Sequence, residues 1–272
     1  MRSKDLIKYG EQALQDKVVP IQLMEQLFDC TKAEILLNQE QTEEDTKRYQ
    51  DCIEQLKSGY PFQYLIGTVN FYGYEYQVTE AVLIPRFETE QLVEKVIHYQ
   101  KQYFQQPTTL LDLGTGSGAI GLTIKQEVPE TTVVVSDISE DALAVAKQNG
   151  QGIDIEYVQG NLLDPLIGRN FDVIVSNPPY VKTIEPVMKN VEQYEPHLAL
   201  YAGIDGLDCY REIIKKAPAC VNDKFLMAFE IGETQGKDIK DLAYQTFPNA
   251  KIWIEQDMQE KDRFLFIFKN SD

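Results

Sequence analysis

Histidine is scarce in this 272-residue chain: His98 and His197 are the only two, which excludes a histidine-rich metal centre. The four cysteines (Cys30, Cys52, Cys209, Cys220) include no CxxC pair. Neither a metal site nor a disulfide framework is expected, and they read as reduced, partly buried thiols of a cytoplasmic protein. Positive charge is also short, with 26 Lys and Arg against 43 Asp and Glu and a formal net charge of −17. No run of Lys or Arg offers a basic patch, so direct nucleic-acid binding is not expected. No apolar stretch approaches the roughly 20 residues of a membrane-spanning helix. The opening Met-Arg-Ser-Lys-Asp leads into no apolar signal segment. A soluble protein without membrane contact is the expectation.

What is present divides in two. Residues 1 to about 60 are charged and Gln-rich, with only Gly10 and Gly59 as glycines. Leu23 and Leu27 stand four apart, as do Tyr49 and Ile53, with Leu56 three further on, which predicts short amphipathic helices in a small bundle. Such a bundle is either a stabilising cap or a docking platform, and spacing alone does not choose. Beyond Pro61 the texture turns aromatic, with Phe71-Tyr72-Gly73-Tyr74-Glu75-Tyr76, then Ala81-Val82-Leu83-Ile84, predicting a hairpin or extended link. A helix with Leu92, Val93, Val96 and Ile97 on one face follows Arg86; its Glu88 and Glu90 read plainly as an acidic first turn. Strands then alternate with helices, at 109–113, 132–136, 154–158, 171–176, 225–231, 251–256 and 263–268. The last two lie too close for a parallel crossover and should form an antiparallel hairpin.

Two places carry chemistry. The apolar run Phe171 to Val175 reads as a buried strand and is stopped by Asn177-Pro178-Pro179-Tyr180. This tetrapeptide falls at a strand's carboxyl end, where open α/β sheets place ligands. Asn177 offers a side-chain carbonyl and Pro178 a main-chain carbonyl, two acceptors that would hold an –NH₂ group by both hydrogens. Pro179 stiffens the turn, and Tyr180 can lay a ring beside the bound group. An incidental Asn and Tyr around a Pro-Pro turn is the plainer alternative.

Earlier, Leu110-Leu111-Asp112-Leu113 runs into Gly114-Thr115-Gly116-Ser117-Gly118, and Ala119 begins a helix. Alternate glycines let main chain approach a ligand that a Cβ would block. The next strand ends at Asp137, where an acid can accept from ribose hydroxyls; Ser139 should cap the helix after it. The glycine spacing is not the dinucleotide Gly-x-Gly-x-x-Gly, and no Gly-Lys-Ser/Thr follows. Beside a site that presents an amino nitrogen, an adenosyl cofactor carrying an activated methyl makes chemical sense.

The chain resembles the protein-(glutamine-N5) methyltransferases of peptide chain release factors, the PrmC/HemK family, over nearly its whole length. The shared blocks are Pro61-Phe62-Gln63-Tyr64-Leu65-Ile66-Gly67, Phe71-Tyr72-Gly73, Val82-Leu83-Ile84-Pro85-Arg86 and Glu88-Thr89-Glu90. They continue through residues 111–120, Asn177-Pro178-Pro179-Tyr180, Glu195-Pro196, Asp205-Gly206-Leu207 and Glu230-Ile231-Gly232. The resemblance implies an α/β, Rossmann-like class I S-adenosylmethionine-dependent methyltransferase: a seven-stranded sheet with an antiparallel terminal hairpin, plus a small N-terminal helical domain. Boundaries on that pattern are residues 1–68 for substrate docking, a β-hairpin linker at 69–86 and the methyltransferase domain at 87–272.

The implied cofactor is S-adenosyl-L-methionine, held by Gly114, Thr115, Gly116, Ser117, Gly118, Asp137, Leu162 and Asn177. Asn177, Pro178 and Tyr180 would be catalytic, and Asn177, Pro178, Pro179 and Tyr180 would bind the acceptor. That acceptor is the glutamine of the Gly-Gly-Gln motif in class 1 release factors; no metal is implied. Phe87 stands where the family usually has a second proline, Ala202 replaces a glycine, and Leu162 falls where some members carry a tryptophan. Two other readings share parts of the pattern. A DNA or RNA base amino-methyltransferase would use the same tetrapeptide, but the charge of −17 opposes it. A non-catalytic S-adenosylmethionine-binding regulator would not need the glycine turn, Asp137 and the tetrapeptide together.

Overall fold

The computed structural model describes residues 1–271. Five helices come first: α1 (Ser3–Leu14), α2 (Val19–Phe28), α3 (Lys32–Leu36), α4 (Glu43–Lys57) and α5 (Phe62–Ile66), followed by the hairpin β1 (Thr68–Phe71) and β2 (Tyr74–Gln77). The rest alternates: α6 (Phe87–Tyr103), β3 (Thr109–Leu113), α7 (Ala119–Glu127), β4 (Thr132–Asp137), α8 (Glu140–Asn149), β5 (Glu156–Gln159) and β6 (Phe171–Ser176). Then come α9 (Lys189–Tyr194), α10 (Asp208–Lys216), β7 (Val221–Glu230), α11 (Gly236–Thr246), β8 (Lys251–Gln256) and β9 (Asp262–Lys269). No helix among the described residues is long and apolar enough to cross a membrane.

The chain forms two compact units. Met1–Thr68 and Met188–Tyr194 make the first; Val69–Val187 and the chain from Glu195 onward make the second. In the first unit Leu6, Leu23, Met24, Ile35, Tyr49 and Ile53 form the core. Of the positions that helical spacing predicts, Leu23, Tyr49 and Ile53 enter this core, while Leu27 and Leu56 pack against it half-buried. Thr31 and Thr42 accept the exposed amides that open α3 and α4, a side-chain cap for each. Tyr194 returns to this unit, its ring edge-on to Tyr60 at 5.1 Å.

In the second unit the seven-stranded sheet has the order β5-β4-β3-β6-β7-β9-β8. β3 to β7 pair in parallel, while β9 runs antiparallel to both β7 and β8. Its central strands are apolar on both faces because both faces are covered. Leu111, Ile174, Met227 and Leu265 enter one core layer. Leu110, Val173, Leu226 and Phe264 enter the other, with α6 and α7. Two strand starts differ from the sequence reading by more than one residue. β5 is an edge strand from Glu156 to Gln159, so the hydrophobic pattern before it marks burial rather than pairing. β7 starts at Val221, four residues before its buried stretch, because Val221 already pairs with Phe171.

Gly10 sets the approach of α1 to its neighbours. A Cβ there would stand 2.8 Å from Tyr49 Oη and 2.9 Å from both Ile53 Cδ1 and Pro20 Cβ. Gly10→Ala is therefore expected to destabilise the first unit by about 1–3 kcal/mol through overpacking, exceeding the roughly 0.5–1 kcal/mol gained in helix preference. Urea unfolding followed by circular dichroism checks this, with fluorescence of Trp253, the single tryptophan and a residue of β8, reporting the second unit. A higher midpoint for the variant would refute the packing role.

Candidate active site

Parallel pairing brings four turns to one edge of the sheet. The glycine turn follows β3, Asp137 ends β4, Asn161 and Leu162 follow β5, and Asn177 follows β6. These are neighbouring strands, and the strand order reverses at β3, where open parallel sheets form their crevice. Ser176 Oγ donates to the Leu113 carbonyl at 2.6 Å, tying the end of β6 to the end of β3. The Gly114 and Thr115 amides both donate to the Ser136 carbonyl, at 2.8 and 3.0 Å, tying β3 to β4. Between the turns lies a cavity of about 220 Å³.

The three glycines have different duties. Gly114 and Gly116 hold φ of +71° and +55°, and an added Cβ would meet nothing within 4 Å, so both face open space where they line the cavity. Gly118 is packed instead: a Cβ would lie 2.8 Å from Leu122 Cδ1 and 3.2 Å from Ala146 Cβ. It lets α7 close on α8 and does not line the cavity. Beneath the turn, Asp112 Oδ2 accepts from Thr115 Oγ1 and from the Gly121 amide at 2.9 Å. Burial pushes the Asp112 carboxyl up to about 6. Asp137 takes the Gly116 amide on one oxygen and the Ser139 amide on the other, each at 2.9 Å. Ser139 caps α8 through the Ala142 amide at 3.1 Å, as expected from the sequence.

Across the cavity, Asn177 and Pro179 line the wall, while Pro178 is buried and Tyr180 packs toward the core. Gln235 Nε2 donates to the Tyr180 carbonyl at 2.9 Å and to the Gly206 carbonyl at 3.2 Å, clamping the turn from behind. Among the described residues nothing donates to the Pro178 carbonyl or to Asn177 Oδ1. The other end of the Asn177 amide is engaged. Its Nδ2 donates to Thr89 Oγ1 at 3.2 Å, and Thr89 Oγ1 donates to Glu230 Oε2 at 2.7 Å. The Tyr180 hydroxyl stands 3.5 Å from Glu230 Oε1. Burial pushes the Glu230 carboxyl up to about 7, against the opposing pull of the Thr89 bond and the Arg263 charge.

Gly114, Thr115, Gly116, Ser117, Asp137, Leu162, Asn177 and Pro179 thus share one cavity, whereas Gly118, Pro178 and Tyr180 stand behind it. Leu162 holds a left-handed φ of 48°, a conformation that costs a leucine roughly 1–2 kcal/mol and that the surrounding turn imposes at the cavity wall. The sequence reading takes Thr89 and Glu230 only as members of shared blocks. It misses that Thr89 and Glu230 meet behind Asn177. A lone acid ending the apolar run Phe225–Phe229 is the available signal, since carboxylates are rarely buried without a partner. It also misses that Arg86 pairs with buried Glu195, whose Oε2 takes the Ile84 amide at 3.4 Å. That pair fixes the 81–86 segment where it lines the cavity.

Comparison with known proteins extends this picture. Residues 90–194 match the Methyltransferase small domain family, and residues 5–67 match the PrmC N-terminal domain family. A release factor glutamine methyltransferase of Bacillus cereus is 39% identical over 240 residues, 85% of this chain and 84% of its own length. One from Streptococcus pneumoniae is 35% identical over 273 residues, covering 99% and 96%. Among solved structures, a methyltransferase from Pyrococcus furiosus matches with a TM-score of 0.53 at 16% identity, over 73% of this chain and 90% of its own. A 16S rRNA N2 G1207 methyltransferase of T. thermophilus, solved with AdoMet and guanosine, gives 0.51 at 14% identity, over 75% and 50%. At such identities these two likenesses are of fold.

The raised Glu230 carboxyl has a consequence for stability. The folded chain keeps this proton up to about pH 7, whereas the unfolded chain releases it near the ordinary glutamate value of about 4.3. Between those limits the folded state binds more protons, so stability falls as pH rises. Glu230→Gln lacks the titration. Its unfolding free energy relative to the parent is expected to rise by on the order of 3 kcal/mol between pH 4.5 and 7.5. Denaturant titrations at both pH values check this, and a pH-independent difference would show an unshifted carboxyl.

Proposed function

The chain belongs to the release factor glutamine methyltransferases, and we propose that it methylates the side-chain amide nitrogen (N5) of the glutamine in the Gly-Gly-Gln motif of class 1 release factors. The observation that carries this is the placement of Asn177, its amide oxygen unengaged, across one cavity from the glycine turn of the neighbouring strand. The first unit, which covers the matched PrmC N-terminal segment, is the part we assign to docking the release factor.

The cavity suits S-adenosylmethionine. Gly114 and Gly116 leave space where any side chain would project. Asp137 keeps lone pairs for ribose hydroxyls beyond the two amides it holds, and Ile138, Ala142 and Leu162 give an apolar wall for a flat base. Bound there, the cofactor supplies an electrophilic methyl group on a sulfonium.

The acceptor is the difficulty. An amide nitrogen is a poor nucleophile because its lone pair is delocalised into the carbonyl. The Asn177 Oδ1 and Pro178 carbonyl accept its two hydrogens, which orients the nitrogen. Both bonds strengthen as positive charge develops on that nitrogen, so they favour the transition state over the ground state. The Pro179 ring, at the cavity wall, keeps water from the amide, and Tyr180 backs the turn from the core side. On leaving these two acceptors the methylated amide loses one N–H proton to solvent, which needs no strong base, and the scarcity of histidine is no obstacle.

Incubation of the purified chain with labelled cofactor and a class 1 release factor, followed by peptide mass mapping, tests the assignment. One methyl on the Gly-Gly-Gln glutamine is expected, and label elsewhere or nowhere would overturn it. Asn177→Ala should lower kcat by about 10²–10³-fold, by analogy with loss of one preorganised dipole at an acyl-transfer site. Asn177→Asp, which keeps an acceptor, should be impaired less at saturating cofactor. Asp137→Ala should weaken cofactor binding by roughly 1–3 kcal/mol in calorimetry, the range for losing hydrogen bonds to a charged group. Removing residues 1–60 should raise KM for the intact release factor while cofactor binding persists; equal kcat/KM with and without them would end the docking role.

A further inference from the structure

An asparagine amide has two ends of nearly the same shape and opposite hydrogen-bonding character. Packing alone does not choose between them, yet only one orientation can accept a substrate –NH₂ group. The inverted side chain would set donor against donor. Something beside Asn177 must therefore fix which end faces the cavity.

Thr89 and Glu230 supply that choice. As a carboxylate Glu230 only accepts, and it takes the single hydroxyl proton of Thr89 across 2.7 Å. With its proton committed, Thr89 Oγ1 has only lone pairs to offer the asparagine, 3.2 Å away. Only the –NH₂ end of Asn177 satisfies them. Inversion would place Oδ1 against an oxygen with no proton left to share, and would turn two donors toward the incoming amide. The relay is well enclosed: Thr89 is 5% exposed and Glu230 2%. Burial favours the neutral form of Glu230 and the Arg263 guanidinium opposes it, so the carboxylate on which the relay depends prevails above about pH 7. Thr89 stands in the first turn of α6, beginning at Phe87. The Arg86–Glu195 pair fixes the entry to that helix.

We infer that Thr89 and Glu230 are positioning residues, forming a relay that holds the Asn177 amide with its oxygen toward the acceptor nitrogen. Neither needs to touch the reacting atoms; both act through Asn177. The inference rests on the methyl-transfer reading above for its kinetic consequence, and on the hydrogen-bond directions for its structural one.

Two readouts at about pH 8 test it on the full chain. In single-turnover methylation of the release factor at saturating cofactor, Thr89→Val should lower the rate about tenfold or more, the effect of losing one orienting hydrogen bond. Cofactor Kd should stay within about twofold, and Thr89→Ser, which keeps the hydroxyl, should stay within about threefold of the parent rate. Glu230→Gln can donate to Thr89 and release the hydroxyl proton toward Asn177. It should also slow transfer, and should add nothing when combined with Thr89→Val. Should Thr89→Val not fold, Glu230→Gln against Thr89→Ser carries the comparison. A parent rate in Thr89→Val, an equal loss in Thr89→Ser, or effects of Thr89→Val and Glu230→Gln that multiply in the double variant would overturn the relay. The second readout is the Asn177 side-chain amide signal in ¹⁵N spectra, which Glu230→Gln should shift. An unchanged signal overturns the relay even if the parent chain leaves the release factor unmethylated, an outcome that would defeat the functional reading instead.

Discussion

The parallel register of β3 with β6 is the constraint on which the site depends. Leu111 lies beside Ile174 and Asp112 beside Val175, so both strands end at the same height. A turn leaving one then faces a turn leaving the other. Ser176 Oγ locks that height through the Leu113 carbonyl at 2.6 Å. A slip of one residue would carry Asn177 away from the glycine turn and invert every side chain of β6 between the two core layers. The apolar residues that enter both layers, and not any bond in the cavity, therefore determine where the two halves of the chemistry meet.

On that edge, rigidity comes from opposite devices. The glycine turn bends where a Cβ would obstruct, at Gly114 and Gly116, and is held from below by Asp112 and from the side by Asp137. The Asn-Pro-Pro-Tyr turn is stiffened by its prolines and clamped by the Gln235 amide. One turn is permissive in itself and constrained by neighbours; the other is stiff in itself. Both outcomes leave donors and acceptors placed before any ligand arrives, which is what electrostatic preorganisation requires.

The parts legible in the sequence are those written in contiguous residues. Gly114 to Gly118, Asp137, Ser139 and Asn177 to Tyr180 each sit in a local strand–turn–helix context that fixes their role. The buried strands announce themselves as β-branched runs. Across greater separations the reading weakens. Thr89 and Glu230 are 141 residues apart, and Arg86 and Glu195 are 109 apart, so neither pairing has a local signature. Gly118 carries the same letter as Gly114 and Gly116, and only its neighbours Leu122 and Ala146 reveal a packing duty. The return of Met188–Tyr194 to the first unit is equally silent locally, since a short polar helix shows no period that names its partner.

Glu230 raises a final question of cost. A carboxyl at the end of β7, 2% exposed and held up to about 7, opposes folding once ionised. A glutamine or an apolar residue would fill the same volume without that penalty. Its hydrogen bonds do not fully offset it, since with them in place burial still holds the carboxyl up to about 7, and Tyr180 reaches it only at 3.5 Å. What a neutral side chain cannot supply is a group that accepts and never donates. A glutamine presents both characters and leaves the Thr89 proton uncommitted; a carboxylate removes the ambiguity and passes a single polarity through Thr89 to Asn177. The same desolvation that makes Glu230 costly sharpens this effect, since an unshielded charge in a low-dielectric interior orders the dipoles beside it more strongly than one in water. The cost and the orientation have one physical source.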